Sequence, residues 1–307
     1  MKNYKTTEII SLLVLQWKKL GFVAIFSIIV GFIISSPMVI KPLYKSYAIV
    51  YPVNLSPNSE ESNTEQLLQW FNSEEVKNAV ARKFDLYNHY DIDTLSDKYH
   101  TYFNLKFKEL VSINSTLYES IEISVKDQDP IMAKKIVQAL IDETNHLIMS
   151  VKKERLKEYI LNNQNELKRA SLKVDSLKGM IDTIRSNFNL IDVGAQAKYL
   201  SKELIKNPNL SESNMKIAQG LKTQKTELDR LGSVIGSEIG TYNYFRNQID
   251  GYMLDYENKI SFTNVVSKPT LPDSKCYPVR SLIVAIITIS SLLIASVIIV
   301  FFNLKKD

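Results

Sequence analysis

The histidines and the single cysteine are the first candidates for metal binding or nucleophilic chemistry. The chain has three histidines, His89, His100 and His146, and one cysteine, Cys276. A zinc site needs three or four such ligands at short, characteristic spacings, and these residues show none. A lone cysteine also cannot form an intrachain disulfide. We therefore predict no metal site and interpret Cys276 as an ordinary loop thiol.

Carboxylates and phosphate-binding loops are the second class of candidates. Asp91, Asp93 and Asp97 lie close together in DIDTLSD, but this stretch lacks the glycine and the terminal glutamate of a calcium loop. No G-x-x-x-x-G-K-[ST] phosphate loop occurs. The other acidic pairs are those of any long helix, and none is singled out for acid–base work. We expect no catalytic residue, no cofactor and no enzymatic activity.

Two uncharged runs stand near the ends of the chain, at residues 20–40 and 281–304. About 20 apolar residues in a helix span a bilayer core, so both are long enough to cross. The first could instead be a secretory signal peptide, but it exceeds the usual apolar core of about 7–15 residues. No A-x-A-like site follows it, and Pro37 and Pro42 fall where cleavage would be expected. We predict two uncleaved transmembrane helices.

The charge is concentrated at the ends. Of 38 basic and 33 acidic residues, the tails 1–19 and 305–307 hold six and two, so the loop 41–280 is nearly neutral with 32 and 31. A nucleic-acid-binding domain would carry its basic excess on the folded part, and we predict no such partner. Basic tails favour the cytoplasm. We therefore expect both termini there and the loop outside, which is the periplasm if the cell is Gram-negative.

The first part of the loop, residues 41–130, reads as a base domain of mixed structure. Alternating or β-branched stretches predict strands, and capped amphipathic stretches with Ser73 at one N-cap predict two short helices. The predicted strands are 44–53, 105–113 and 119–125, and the predicted helices are 65–71 and 73–84.

A long helix is predicted to follow. Asp129 suits the N-cap and Pro130 the first helical position. Apolar residues then alternate steps of three and four from Leu156 to Phe188, and again from Leu221 to Tyr256, with a polar break between. Two heptad segments joined by a break indicate an antiparallel hairpin, and we expect residues 131–257 to form a projecting helical arm.

Three glycines in the returning segment allow two interpretations. Gly232, Gly236 and Gly240 are four apart, so on a helix they share one face and let another backbone approach closely. Alternatively, three glycines weaken or break the helix.

Residues 258–280 are predicted to return to the base. The stretch 259–267 alternates as a strand, which can pair with the first strand or with 119–125. Next comes a segment with Pro269, Pro272 and Pro278, ending at Arg280. Prolines forbid helix and stiffen the chain, so we expect the second span to enter the membrane at a fixed angle.

These features together resemble one family. The two spans, the D-P-x-x-A pattern of Asp129, Pro130 and Ala133 in ISVKDQDPIMAKKI, and the proline-rich KPTLPDSKCYP resemble the polysaccharide co-polymerases, the Wzz-type chain-length determinants of bacterial surface polysaccharides. The resemblance covers the whole chain. Tyr277 stands where the family often has serine. Without a phosphate loop, the tyrosine-kinase domain fused to some members is absent.

The resemblance implies a fold and a function. The fold would be an α+β membrane protein, with two transmembrane helices flanking a periplasmic α/β base and a long coiled-coil-like hairpin. The protein would be a homo-oligomeric ring of the inner membrane that regulates the chain length of an O-antigen or lipopolysaccharide-type glycan. Its partners would be a membrane-embedded polymerase and a lipid-linked glycan. Two alternatives remain open: a kinase-less co-polymerase for capsule or exopolysaccharide export, and a structural envelope tether.

Overall fold

The computed structural model describes residues 6–57 and 59–304, with side chains for 11–57 and 59–302. The predictions for residues 1–5 and 305–307 lie outside the described residues. Contacts divide the chain into two compact units, Met1–Ile148 with Ser261–Asp307, and Met149–Ile260. We refer to them as the sheet unit and the hairpin unit.

Two apolar helices belong to the sheet unit. After α1 (Thr6–Leu15), α2 covers Trp17–Ile34, and α10 covers Arg280–Leu304 at the other end. Helix α2 ends six residues before the uncharged run does, because Pro37 disfavours helix at the residue before it; the Ser35 hydroxyl donates to the carbonyl of Phe32 there. Among the described residues, α2 and α10 are the two helices that are long and apolar enough to cross a membrane.

The sheet has five strands, in the order β2-β3-β1-β4 with β5 also paired to β1. Neighbouring strands are antiparallel. The predicted strand after the first span is confirmed as β1, and the strand after the arm pairs with β1, the first of its two predicted partners. The bounds are β1 Leu43–Pro52, β2 Val111–Ser115, β3 Ile121–Asp127, β4 Thr263–Ser267 and β5 Lys275–Tyr277.

The predicted strand at 105–113 is wrong for most of its length. Helix α6 covers Tyr99–Leu110, and only β2 from Val111 onward is extended. Phe103 and Leu110 are buried seven residues apart, two turns along one helix face, whereas Leu105 is exposed. The helical period of these side chains therefore outweighs the short alternation from Leu105.

Short helices α3, α4 and α5 cover one part of the sheet unit's core. Both predicted helices are present, and Ser73 is confirmed as the N-cap of α4 because its hydroxyl accepts from the N–H of Val76. Helix α3 begins with a capping box between Ser62 and Glu65. The bounds are α3 Asn63–Phe71, α4 Glu74–Lys83 and α5 Leu86–His89.

Helix α7 covers Pro130–Phe188, 59 residues, and starts inside the sheet unit. Its first turns bury Ala133, Ile136, Val137 and Leu140 completely. The predicted arm at 131–257 thus begins with about five helical turns that belong to the sheet unit.

The hairpin unit confirms the predicted antiparallel hairpin. Helix α8 (Val193–Lys206) occupies the polar break, and α9 (Glu212–Glu257) returns. The ring of Tyr159 packs on Tyr252, Lys173 pairs with Glu238, and Phe188 touches Gly220, so positions advance along α7 as they recede along α9. Every residue of the two predicted heptad seams is buried or half-buried, as knobs-into-holes packing requires.

Candidate functional site at the junction of the sheet with the apolar helices

Both connections to the apolar helices lie on one strand. Strand β1 begins at Leu43, shortly after α2, and β5 ends at Tyr277, shortly before α10. Leu43 pairs with Tyr277, and Tyr44 with Lys275. The chain leaving α2 and the chain approaching α10 are therefore neighbouring antiparallel strands, with an irregularity in the register between Leu43 and Tyr44.

The proline-rich segment is fastened to the same strand. The hydroxyl of Ser46 donates to the carbonyl of Thr270 at 2.6 Å. The N–H of Thr270 donates to the carbonyl of Tyr47 at 3.2 Å, and the N–H of Tyr47 donates to Thr270 Oγ1 at 3.2 Å. Thr270 thus continues the sheet where its proline neighbour, which lacks an N–H, could not donate.

The structure separates the three predicted prolines by environment. Pro269 and Pro278 are buried, Pro272 is half-buried, and Arg280 is exposed as the first residue of α10. The buried pair lies on either side of the stretch that pairs with β1. Stiffness of this segment therefore comes from sheet hydrogen bonds as well as from proline rings.

Small residues bring the two apolar helices together. Ser27 and Gly31 on α2 and Ser35 at its C-cap are four residues apart and buried. A Cβ placed on Gly31 would lie 3.0 Å from the Cα of Val284 on α10, so the two backbones approach as closely as a glycine permits. The sequence carries this small-x-x-x-small signal, but our sequence analysis noted the spacing only in the arm.

An open apolar groove of about 560 Å³ lies between the same helices. It is lined by both of them, and its two hydroxyl-bearing side chains sit on α10, where Thr288 donates to its own helix at Val284. Such a groove can pack an apolar partner, and its lining residues are not catalytic groups. The lining residues include Ile28, Phe32, Ser281, Val284, Ala285 and Thr288.

The predicted helix-start motif has the geometry expected from its residue types. Asp129 Oδ1 accepts from the N–H of Ile131 at 2.8 Å, and its carbonyl accepts from Ala133 at 2.9 Å. Pro130 is the first residue of α7, where its missing N–H has no partner to lose. Ala133 is completely buried.

A buried carboxylate beside this motif was missed by the sequence analysis. The side chain of Asp127, at the end of β3, is completely buried. It accepts from Tyr90 Oη at 3.1 Å and from the N–H of Asp129 at 2.9 Å, and His89 Nε2 lies 2.9 and 3.0 Å from its two oxygens. Burial, and then the Asp127 carboxylate, raise the pKa of Tyr90 far above its ordinary value, so the phenol remains a donor.

This cluster fixes structure rather than building a metal site. Among the described residues there is no group of three or more histidine, cysteine, aspartate or glutamate side chains placed to hold a metal ion. The three partners satisfy one buried carboxylate and so tie α5 to the start of α7. Sequence could not reveal it, because His89 and Asp127 are 38 residues apart and no pattern links them.

The three arm glycines lie in an uninterrupted helix, so the interpretation that they break it is wrong. Within the described residues nothing lies within 4 Å of a Cβ added at Gly232, Gly236 or Gly240. Close packing at this face stays a prediction about another chain. In the hairpin unit a close approach occurs instead at Gly220, whose added Cβ would lie 2.5 Å from Phe188 Cβ.

Comparisons with known proteins return solved structures only. No sequence-family model and no curated protein matches the chain. A full-length bacterial polysaccharide co-polymerase aligns at a TM-score of 0.49 and 16% identity, covering 97% of this chain and 98% of the other. The Shigella flexneri lipopolysaccharide O-antigen chain-length regulator WzzB aligns at 0.37 and 13% identity, covering 75% and 99%.

A Wzz dodecamer fitted to a cryo-EM map aligns at a TM-score of 0.32 and 13% identity, covering 75% of this chain and 98% of the other. The names of these structures are those of the family that the two motifs resemble.

Proposed function

We propose that this chain is a polysaccharide co-polymerase. It regulates the chain length of a bacterial surface polysaccharide through geometry and contacts. The observation that carries the proposal is the junction on β1, where the connections of both apolar helices form neighbouring strands. The two sequence motifs of the resemblance meet in this sheet, since β3, which leads to Asp129, and the proline-rich segment both bond to β1.

A junction of this kind suits transmission of a contact made within the membrane. Strands in register resist sliding because each shift breaks several hydrogen bonds and turns side chains to the wrong face. A displacement of α2 or α10 would therefore move β1 and β3 together, and with them the start of α7. The protein would sense its partner by position, with no covalent step.

The proposed topology has two passes. Beyond their first turns, α2 and α10 carry apolar side chains on all sides, and these are mostly exposed in the structure, as in Phe26 and Phe301, which favours lipid around them. Lys18 and Lys19 lie in the first turn of α2, and basic residues beside a membrane span favour the cytoplasm. Both termini would be cytoplasmic, with residues 41–280 in the periplasm and the helices in the inner membrane.

We assign the proposed roles to three parts of the chain. Residues 41–130 and 258–280 form the base, residues 131–257 the arm, and 20–40 with 281–304 the spans. The apolar groove between α2 and α10 would receive a transmembrane helix of the polymerase, because only apolar packing is available there. The lipid-linked glycan, of O-antigen or lipopolysaccharide type, would grow beside the periplasmic part.

The homo-oligomer would use the open glycine face of α9. Gly232, Gly236 and Gly240 leave room for a neighbouring backbone, and no part of the described chain fills it. Replacing Gly236 by leucine would block such an approach, whereas Gly236→Ala would disturb it least. Loss of assembly in the leucine variant, measured by light scattering in detergent, would identify this face as a contact between copies.

The test of function is the length distribution of surface polysaccharide on gels. Deletion of the gene should leave polymer synthesis running and change the distribution. The double variant Pro272→Ala with Pro278→Ala should alter the distribution while the protein remains expressed and inserted, because the approach to α10 loosens. Pro208→Ala, in the loop between α8 and α9, is the matched control and should behave as wild type.

Two results would contradict the proposal. Complete loss of polymer on deletion would favour an export role for capsule or exopolysaccharide. An unchanged profile of every surface polysaccharide would leave a structural envelope tether.

A further inference from the structure

Helix α8 carries a surface that the proposed function does not use. Leu200 is buried against the rest of the hairpin unit. At about 100° per residue, Lys198, Lys202 and Lys206 lie on the opposite side of the helix, and all three are exposed. Tyr199 and Ile205 flank them. We refer to Lys198, Tyr199, Lys202, Ile205 and Lys206 as the lysine face.

The charges of this face have no partner within the described chain. Among the described residues of the hairpin unit, ion pairs join Arg169 to Glu166, Lys173 to Glu238 and Arg230 to Glu227. Among the described residues no ion pair involves a lysine of the lysine face. The single acidic residue of α8, Glu203, is half-buried, toward the Leu200 side. The three lysine charges therefore face solvent and are not neutralised by an ion pair.

Apolar side chains stand among these charges. Ile205 is 86% exposed and Tyr199 is 56% exposed. A single exposed apolar residue needs no explanation. On helices that lie in a membrane interface, basic residues likewise stand beside apolar and aromatic side chains. Here Leu200 is buried in the hairpin unit, and Ile205 and Tyr199 are the apolar side chains beside the lysines that stay exposed.

We propose that the lysine face binds an anionic lipid surface. The lysine ammonium groups would pair with phosphate headgroups, while Ile205 and Tyr199 enter the boundary between headgroups and acyl chains. The exposed Ile205 favours lipid over an acidic glycan, because a hydrated polymer would leave this side chain in water. The proposal adds a lipid partner and does not depend on control of chain length.

The experiment uses the full chain in nanodiscs of phosphatidylcholine, mixed with separate sedimenting vesicles at about 0.15 M salt. The vesicles are either pure phosphatidylcholine or contain one third phosphatidylglycerol. We expect binding to the anionic vesicles only. A basic residue near an anionic surface strengthens binding about fivefold, so the triple variant K198Q/K202Q/K206Q should bind about 100-fold more weakly. Equal binding of the wild-type chain to both kinds of vesicle would overturn the proposal.

A matched variant separates the lysine face from general charge. K134Q/K168Q/K178Q removes three other exposed lysines and should bind as the wild type does; an equal loss would overturn the proposal. Unchanged far-UV circular dichroism and melting temperature in both triple variants are expected, because all six side chains are exposed.

A second variant distinguishes lipid insertion from attraction by charge alone. I205S keeps every lysine and should bind the anionic vesicles several-fold more weakly, since the apolar contact is lost. Full binding by I205S would overturn insertion and with it the lipid assignment. Binding to polygalacturonate that the triple lysine variant loses, while its vesicle binding is unchanged, would overturn the proposal in favour of an acidic glycan.

Discussion

The side-chain amide of Asn145 accepts a hydrogen bond from the backbone N–H of Phe262, 117 residues later in the chain, at 2.7 Å. The same amide donates to Thr263 Oγ1 at 2.7 Å. Asn145 lies on α7 just before the hairpin unit begins, and Thr263 is the first residue of β4, just after it ends. One side chain therefore joins the two ends of the hairpin within the sheet unit.

Asn145→Ala should lower the free energy of unfolding by about 1–3 kcal/mol, because the N–H of Phe262 and the hydroxyl of Thr263 lose their partner. Chemical denaturation of the purified protein measures this. Asn163→Ala is the control: that amide donates to the carbonyl of Tyr159 on its own helix, and its removal should cost little. Equal losses would show that Asn145 has no special role.

Gly31→Leu should separate α2 from α10. The added side chain meets the Cα of Val284 at the distance where a Cβ is already tight, and overpacking of this kind costs about 1–3 kcal/mol. A lower melting temperature in detergent is expected. Gly21→Leu, in the same helix with nothing within 4 Å of its Cβ position, should melt as the wild type does.

Gly220→Ala should destabilise the hairpin unit, since the new Cβ would lie 2.5 Å from Phe188 Cβ, near the backbone where it cannot swing away. Gly236→Ala should stabilise it by about 0.5–1 kcal/mol, because alanine favours helix and its Cβ meets nothing. Thermal melting of the two full-length variants compares their stabilities. The same sign for both variants would contradict the close packing of Phe188 on Gly220.

Tyr90→Phe should make the protein less sensitive to alkali. Burial and Asp127 raise the pKa of Tyr90 in the folded state above its ordinary value of 10.0, so above that value the unfolded chain releases a proton that the folded chain retains. The free energy of unfolding therefore falls as the pH rises above the ordinary pKa of tyrosine. Phenylalanine has no proton to release, so the variant lacks this contribution to the fall.

Unfolding free energies measured between about pH 8 and pH 11 should fall less steeply in Tyr90→Phe than in the wild type. At neutral pH the variant should be less stable by about 1.5–3 kcal/mol, because Asp127 loses one donor to its charge. Tyr118→Phe, at an exposed turn position, should keep the wild-type slope. Identical slopes in all three proteins would exclude Tyr90 as the source.

The fold could be predicted where local patterns repeat many times. The heptad spacing of α7 and α9 and the alternation of β3 show which side chains face the protein interior. The residues Asp129 and Pro130 likewise mark the start of α7. The two apolar runs near the ends are equally explicit. The exception is α6, where a short alternation from Leu105 competed with a helical period that only burial of Phe103 and Leu110 decided.

Contacts between residues far apart in sequence were decided by the tertiary structure. Pairing of β5 with β1 places Tyr277 beside Leu43. A strand of three residues is too short for its sequence pattern to indicate which strand it pairs with. Glycine spacing drew attention to Gly232, Gly236 and Gly240, yet the close approaches occur at Gly31 and Gly220. Apart from α6, the sequence alone determined the long helices, the strands β1 and β3 and the apolar runs, because their patterns repeat locally. Only the folded chain decided which glycines another backbone needs and which carboxylate is buried, because both depend on what long-range packing brings within a few ångströms.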